Sequence, residues 1–140
     1  MRSHRGFLAS ALLALCALTP QPGRAQLDRP TERPMVRPDP TRLRPPPGGT
    51  MEQVLWGDRV FHGEVASGKC SICHGVDAKG TGNGNDLTVG MWIWSDGSLK
   101  MLKATIQHNM AIAPGMDGEL QPADVDAVAA YVWAIGHQAR

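Results

Sequence analysis

Cysteine is scarce in this chain: among 140 residues only Cys16, Cys70 and Cys73 carry a thiol. A structural zinc site takes four ligands, commonly two Cys or His pairs. No second pair accompanies Cys70 and Cys73, because His62, His108 and His137 are widely scattered. Convincing strand alternation is missing as well. That removes the βαβ setting in which a thioredoxin-like Cys-x-x-Cys opens a helix and its thiol pKa is lowered. Basic surplus is lacking too. The formal charge is only +1, and acidic side chains outnumber basic ones from Met51 onward. Nothing offers the basic face that nucleic acid requires.

Long apolar runs are absent. The stretch Phe7 to Leu18 is well short of the roughly 20 residues of a spanning helix. With Arg2 and Arg5 before it and Gly23-Arg24-Ala25 after it, the run reads as a secretory signal over residues 1–25, cleaved near Ala25. Cys16 lies inside the run behind the large Leu15, so it is read as signal filler and not as a lipid-anchor site. The expected mature protein is periplasmic, has no transmembrane segment and starts near Gln26.

Residues 26–50, "QLDRPTERPMVRPDPTRLRPPPGGT", repeat Arg-Pro at 29–30, 33–34 and 37–38, and then carry three prolines in a row at 45–47. Proline lacks a backbone N–H and disfavours helix in the residue before it, so this segment is expected to be an extended, solvated linker. The folded domain is expected over 51–140. Three helices are legible in it. The first runs near Glu52 to Ala66, with Val54, Leu55, Phe61 and Val65 as its apolar face. A second starts at a Ser98 cap and carries Leu99, Leu102 and Ile106. The third starts at Pro122, with Asp124 and Asp126 near its positive end and Val125, Val128, Val132 and Ile135 as its stripe. The fold class is all-α with long loops. Three short helices make a thin core, and the loop from Gly75 to Gly97 is long unless something orders it. Both point to a large cofactor at the centre.

The stretch "KCSICHGVDAKGTG", residues 69–82, supplies the means. Cys-Ser-Ile-Cys-His is the spacing of covalent c-type haem attachment. Cys70 and Cys73 would form thioethers to the two vinyl groups, and the adjoining His74 would fall under the iron as an axial ligand. One haem c is therefore expected. For the other axial position a methionine sulfur suits electron transfer, whereas an open position suits gas binding or peroxide chemistry. Met116, in a Pro/Gly loop just before the third helix, is the first choice. Met110 is the runner-up and His108 comes third.

Together these residues resemble a class I c-type cytochrome over roughly 54–138. The likeness is to small exported monohaem cytochromes and to the haem c domains of cbb-type oxidase subunits. "GDRVFHGEVASGKCSICHG" looks like the family's first helix and attachment motif, in which Gly57 and Phe61 meet the last helix. "VDAVAAYVWAIGH" looks like that last helix, with Tyr131 in the aromatic position. The resemblance implies a cytochrome c fold around one haem and a carrier of single electrons, not an enzyme in itself, although it can be the cytochrome subunit of an oxidoreductase complex. The implied donor is a periplasmic dehydrogenase or other redox protein, and the implied acceptor an oxidase or another cytochrome. The alternative is a haem enzyme or gas-binding protein with an open or labile sixth site. Asn85 stands where the family often has a proline whose carbonyl accepts a hydrogen bond from the proximal histidine. The ligand loop also differs, since Met116 is followed by Asp117 and not by proline. Trp56, Trp92, Trp94 and Trp133 read as packing, and His62 and His137 as surface histidines. Lys69, Lys79, Lys100 and Lys103 read equally as solvated charges or as a ring that steers an acidic partner.

Overall fold

The computed structural model describes residues 34–112 and 120–138. The signal-peptide reading of 1–25, the start of the linker and Met116 lie outside them. Among the described residues no strand forms, and the only bridges are Thr81 with Gly84 and Trp92 with Ser95. Four helices carry the domain: α1 (Met51–Phe61), α2 (Cys70–His74), α3 (Leu99–Ile112) and α4 (Pro122–Gly136). No described helix is long and apolar enough to cross a membrane.

α1 begins where its sequence supplies both halves of a capping box. Gln53 N–H donates to Thr50 Oγ1 at 3.2 Å, and Thr50 N–H donates to Gln53 Oε1 at 3.0 Å. These bonds satisfy two of the amides that every helix start leaves open. The helix stops at Phe61, earlier than the expected Ala66, because Gly63 turns the chain at φ +73°. Of its expected apolar face, Val54 and Phe61 are buried, whereas Leu55 is exposed and Val60 takes the inward position. α3 starts at the expected cap, with Met101 N–H donating to Ser98 Oγ at 3.2 Å. α4 starts at Pro122, and its stripe of Val125, Val128, Val132 and Ile135 is buried as expected.

The core forms where α1 crosses α4. Gly57 makes the crossing possible, since a Cβ there would lie 2.0 Å from Ala127 O and 2.9 Å from Tyr131 Cβ. Phe61 and Tyr131 close the contact with ring centroids 5.4 Å apart. α3 lies against α4 through buried Leu102, and Lys103 Nζ pairs with Asp126 Oδ1 at 2.7 Å.

The linker reading needs correction where the chain is described. Residues 34–50 are largely exposed, Met35 and Val36 among them, but the segment is anchored to α1 and is not a free extended spacer. A single 3-10 turn (Pro40–Arg42) forms there, capped by Asp39, and Leu43 and Pro46 are buried. Arg37 reaches the carboxylates of Asp58 and Glu64. Proline content did forbid an α-helix, but it did not forbid a strap that buries Leu43 and Pro46 and ties down through Arg37.

Asp58 is the charge this strap serves. It is buried at 3% exposure, accepts from Arg37 Nε at 3.1 Å and lies 3.2 Å from His62 Nδ1. Burial alone would raise its pKa, but the bonds from His62 and Arg37 outweigh that and hold the carboxyl below its usual range. A carboxylate with a depressed folded pKa adds stability that is present above the unfolded value and lost as pH falls through the folded one. Arg37→Ala is therefore expected to cost about 1–2 kcal/mol at neutral pH. That is less than the roughly 3–5 kcal/mol for breaking a fully buried pair, because Arg37 sits at the edge and His62 remains. Denaturant unfolding of both proteins from neutral to acid pH checks this. The gap between them should narrow as Asp58 protonates.

Candidate functional site

α2 is a little over one turn long and opens a loop rich in glycine. Positions three apart share one helix face, so Cys70 and Cys73 stand together and His74 follows at the helix end. The loop then folds back on the helix. Gly75 turns it at φ +77°, and Thr81 Oγ1 donates to Cys73 O. Gly84 passes so close that a Cβ there would meet Cys73 O at 2.7 Å and His74 Nδ1 at 3.0 Å. This approach brings Asn85 O to 2.8 Å from His74 Nδ1. The backbone carbonyl that proline carries elsewhere is thus supplied by asparagine. Its bond fixes the tautomer, with the proton on Nδ1 and the Nε2 lone pair open to a metal.

His74 and Cys70 form one wall of a cleft that is open to solvent on one side. Phe61 from α1, Leu102 and Ile106 from α3, and Val128 and Val132 from α4 form apolar sides, and Trp92 and Leu87 come from the long loop. Burial pushes the Cys70 thiol up to about 11, so at neutral pH it is a thiol and not the low-pKa thiolate of a redox cysteine. Among the described residues no group of three or more His, Cys, Asp or Glu side chains could hold a metal ion.

One polar atom in the cleft wall has no partner. Trp92 Nε1–H is buried and unbonded, which costs about 1–3 kcal/mol unless an acceptor on a bound group meets it. An apolar cleft with the Cys70 thiol and an imidazole on one wall, Cys73 on the same short helix, and an orphan N–H on another wall fits a large flat group with acidic substituents at one edge. Haem is such a group. Bound there, it supplies a one-electron iron couple.

The structure thus brings Cys70 and His74 to the cleft wall, with Cys73 between them on α2 but not itself a lining residue. Met110 is half-buried against the core and is not a lining residue, whereas Asn109 beside it is. Tryptophan roles are mixed. Trp56 Nε1 donates to Asp124 Oδ1 at 2.8 Å, Trp133 stacks on exposed His137 with centroids 3.9 Å apart, and Trp94 is largely exposed. The surface reading of His62 is overturned, since its side chain is only 6% exposed. Sequence reasoning also missed the orphan Trp92 N–H and the polar cleft residues Thr105 and Asn109. Helical periodicity places Thr105 and Asn109 on the Leu102–Ile106 side of α3, a signal that was available. Nothing local to residue 92 announced an unpaired indole.

Comparison with known proteins agrees with this geometry. The family model described as cytochrome c matches residues 57–136. A curated relative, the Cbb3-type cytochrome c oxidase subunit FixP of Bradyrhizobium sp. (strain ORS 278), is 25% identical over 81 residues. That match covers 56% of this chain and 28% of the relative, so the chain spans well under half of the relative's length. No solved structure matches.

Proposed function

The chain belongs to the cytochrome c family, and from that premise we propose that it is an exported, periplasmic carrier of single electrons on one haem c. Cys70 and Cys73 hold the haem by thioethers, His74 is one axial ligand and Met116 the other. Residues 1–25 act as the export signal. The donor is a periplasmic dehydrogenase or another redox protein. The acceptor is a terminal oxidase or another cytochrome, a reading supported by the likeness to an oxidase subunit.

The observation that carries the proposal is the bond between His74 Nδ1 and Asn85 O. It orients the imidazole without using the nitrogen that binds iron, at the wall of a cleft that also holds Cys70. An electron carrier needs this rigidity, because a fixed ligand geometry lets the iron change charge with little rearrangement. Met116 is favoured over Met110 because Met110 packs on the core and does not line the cleft. A thioether closes the coordination shell and raises the potential.

Carbon monoxide binding and potentiometry on the purified holoprotein test the sixth ligand. The unmutated ferrous protein should resist carbon monoxide. Met116→Ala should admit it and lower the midpoint potential, and Met110→Ala should change neither. Ready binding of carbon monoxide by the unmutated protein would move the open-site alternative ahead of the carrier.

A further inference from the structure

His62 is the buried titratable group that electron transfer as described does not use. Its Nδ1 lies 2.8 Å from its own helix's Asp58 carbonyl oxygen and 3.2 Å from Asp58 Oδ1. Its Nε2 lies 3.0 Å from Val76 O, two residues past His74. Both ring nitrogens therefore face oxygen atoms that can only accept. A neutral imidazole has one N–H and would leave the other nitrogen's lone pair against an oxygen, whereas the imidazolium satisfies both.

The charges around it come from every packed element. Asp58 belongs to its own helix, and Arg37 of the strap bonds Asp58 and Glu64. Tyr131 of α4 stands with its ring centroid 6.2 Å from His62, its buried hydroxyl beside Asp58. The loop that supplies Val76 also carries buried Asp77. Burial opposes a charge on His62, but the Asp58 carboxylate and the two carbonyls outweigh it, and the pKa is raised. The Phe61 ring separates His62 from the cleft, with centroids 5.1 Å from His62 and 6.5 Å from His74.

We propose that His62 is a redox-linked proton site, which holds a proton in the reduced protein and releases it to solvent when the haem is oxidised. Reduction takes one electron from the donor and one proton from water, turning ferric iron and neutral imidazole into ferrous iron and imidazolium. Oxidation returns both. The coupling is electrostatic: ferrous iron carries one positive charge fewer, so the imidazolium beyond Phe61 is less repelled and its proton is held more tightly. The carrier would then move a proton with its electron in the pH range between the two affinities, and its potential would fall there as pH rises.

This inference rests on the electron-carrier reading, and one set of measurements separates the two. Potentiometric titration of the holoprotein from about pH 5 to 9, the range in which a histidine ordinarily switches, should give a reversible one-electron wave. Its midpoint should fall with pH over one interval and be flat on either side. His62→Gln should remove that interval. NMR titration of the His62 ring in the unmutated protein provides a check that no variant's folding can obscure, and should show a higher pKa in the ferrous state. Equal His62 pKa values in both states, or an unchanged pH interval in His62→Gln, would overturn the proposal while the reversible wave upholds the carrier. Absence of any reversible wave would sink the carrier reading and this inference with it.

Discussion

Alanine at both Cys70 and Cys73 is expected to abolish the haem-stained band on denaturing gels and to leave all pigment extractable by acid acetone. Either single variant should keep a weakened band through its remaining thioether. The effect should extend to the fold. Tyr131, Phe61, Val54, Val60, Val128 and Ile135 are the largest fully buried side chains apart from Pro46, a small core for a domain with an apolar cleft beside it. Domains this short commonly need a staple, and an unfilled apolar cleft gives up the contacts its walls would make. Far-ultraviolet circular dichroism of the double variant should therefore show much of the helix signal lost or melting at far lower temperature. A double variant that still carried covalent haem after maturation in a competent host would refute the attachment reading.

Gly57→Ala should be among the most damaging single-methyl changes in the domain. The added Cβ would fall 2.0 Å from Ala127 O and 2.5 Å from Ala127 C, which are backbone atoms of α4 that no rotamer change can move. Relief requires α1 and α4 to separate, and this opens the Phe61–Tyr131 contact at the same time. Overpacking typically costs about 1–3 kcal/mol, and a clash with rigid backbone belongs at the upper end. A loss of about 3 kcal/mol corresponds to a fall on the order of 15 °C in Tm for a domain of this size. Gly82→Ala is the matched control, because nothing lies within 4 Å of the position its Cβ would take, and it should be neutral. Thermal unfolding of the two variants beside the parent measures the difference. Equal melting temperatures would mean that the close crossing of α1 on α4 is wrong.

Much of the site could be read along the chain because its parts are neighbours in sequence. Cys70, Cys73 and His74 lie within one turn of helix, so their adjacency needs no tertiary structure. The Ser98 cap and Pro122 start were legible for the same reason, as each acts on amides within its own first turn. The early end of α1 was not legible, since Val65 continued the apolar pattern while Gly63 set the turn. The strap over 34–50 was misread because its composition is that of a solvated linker. What binds it is a single arginine, 21 residues from its partner Asp58, with Leu43 beneath.

Sequence alone determined the fold class, the membership signal, the covalent haem motif and the position of two of the helix starts. These follow from short-range rules: thioether spacing, capping hydrogen bonds, and the 3.6-residue repeat of valines on α4. The family resemblance pointed to Asn85 beside His74 and to Gly57 facing the last helix, and tertiary structure supplied the contacts: 2.8 Å from His74 Nδ1 to Asn85 O, and 2.0 Å from a Gly57 Cβ to Ala127 O. Tertiary structure alone decided that the strap is anchored, and that His62 is enclosed by Asp58, Val76 and Tyr131 and so is not a surface residue. Each of those depends on atoms far apart in the chain meeting within a few ångströms, and local propensity carries no information about such meetings.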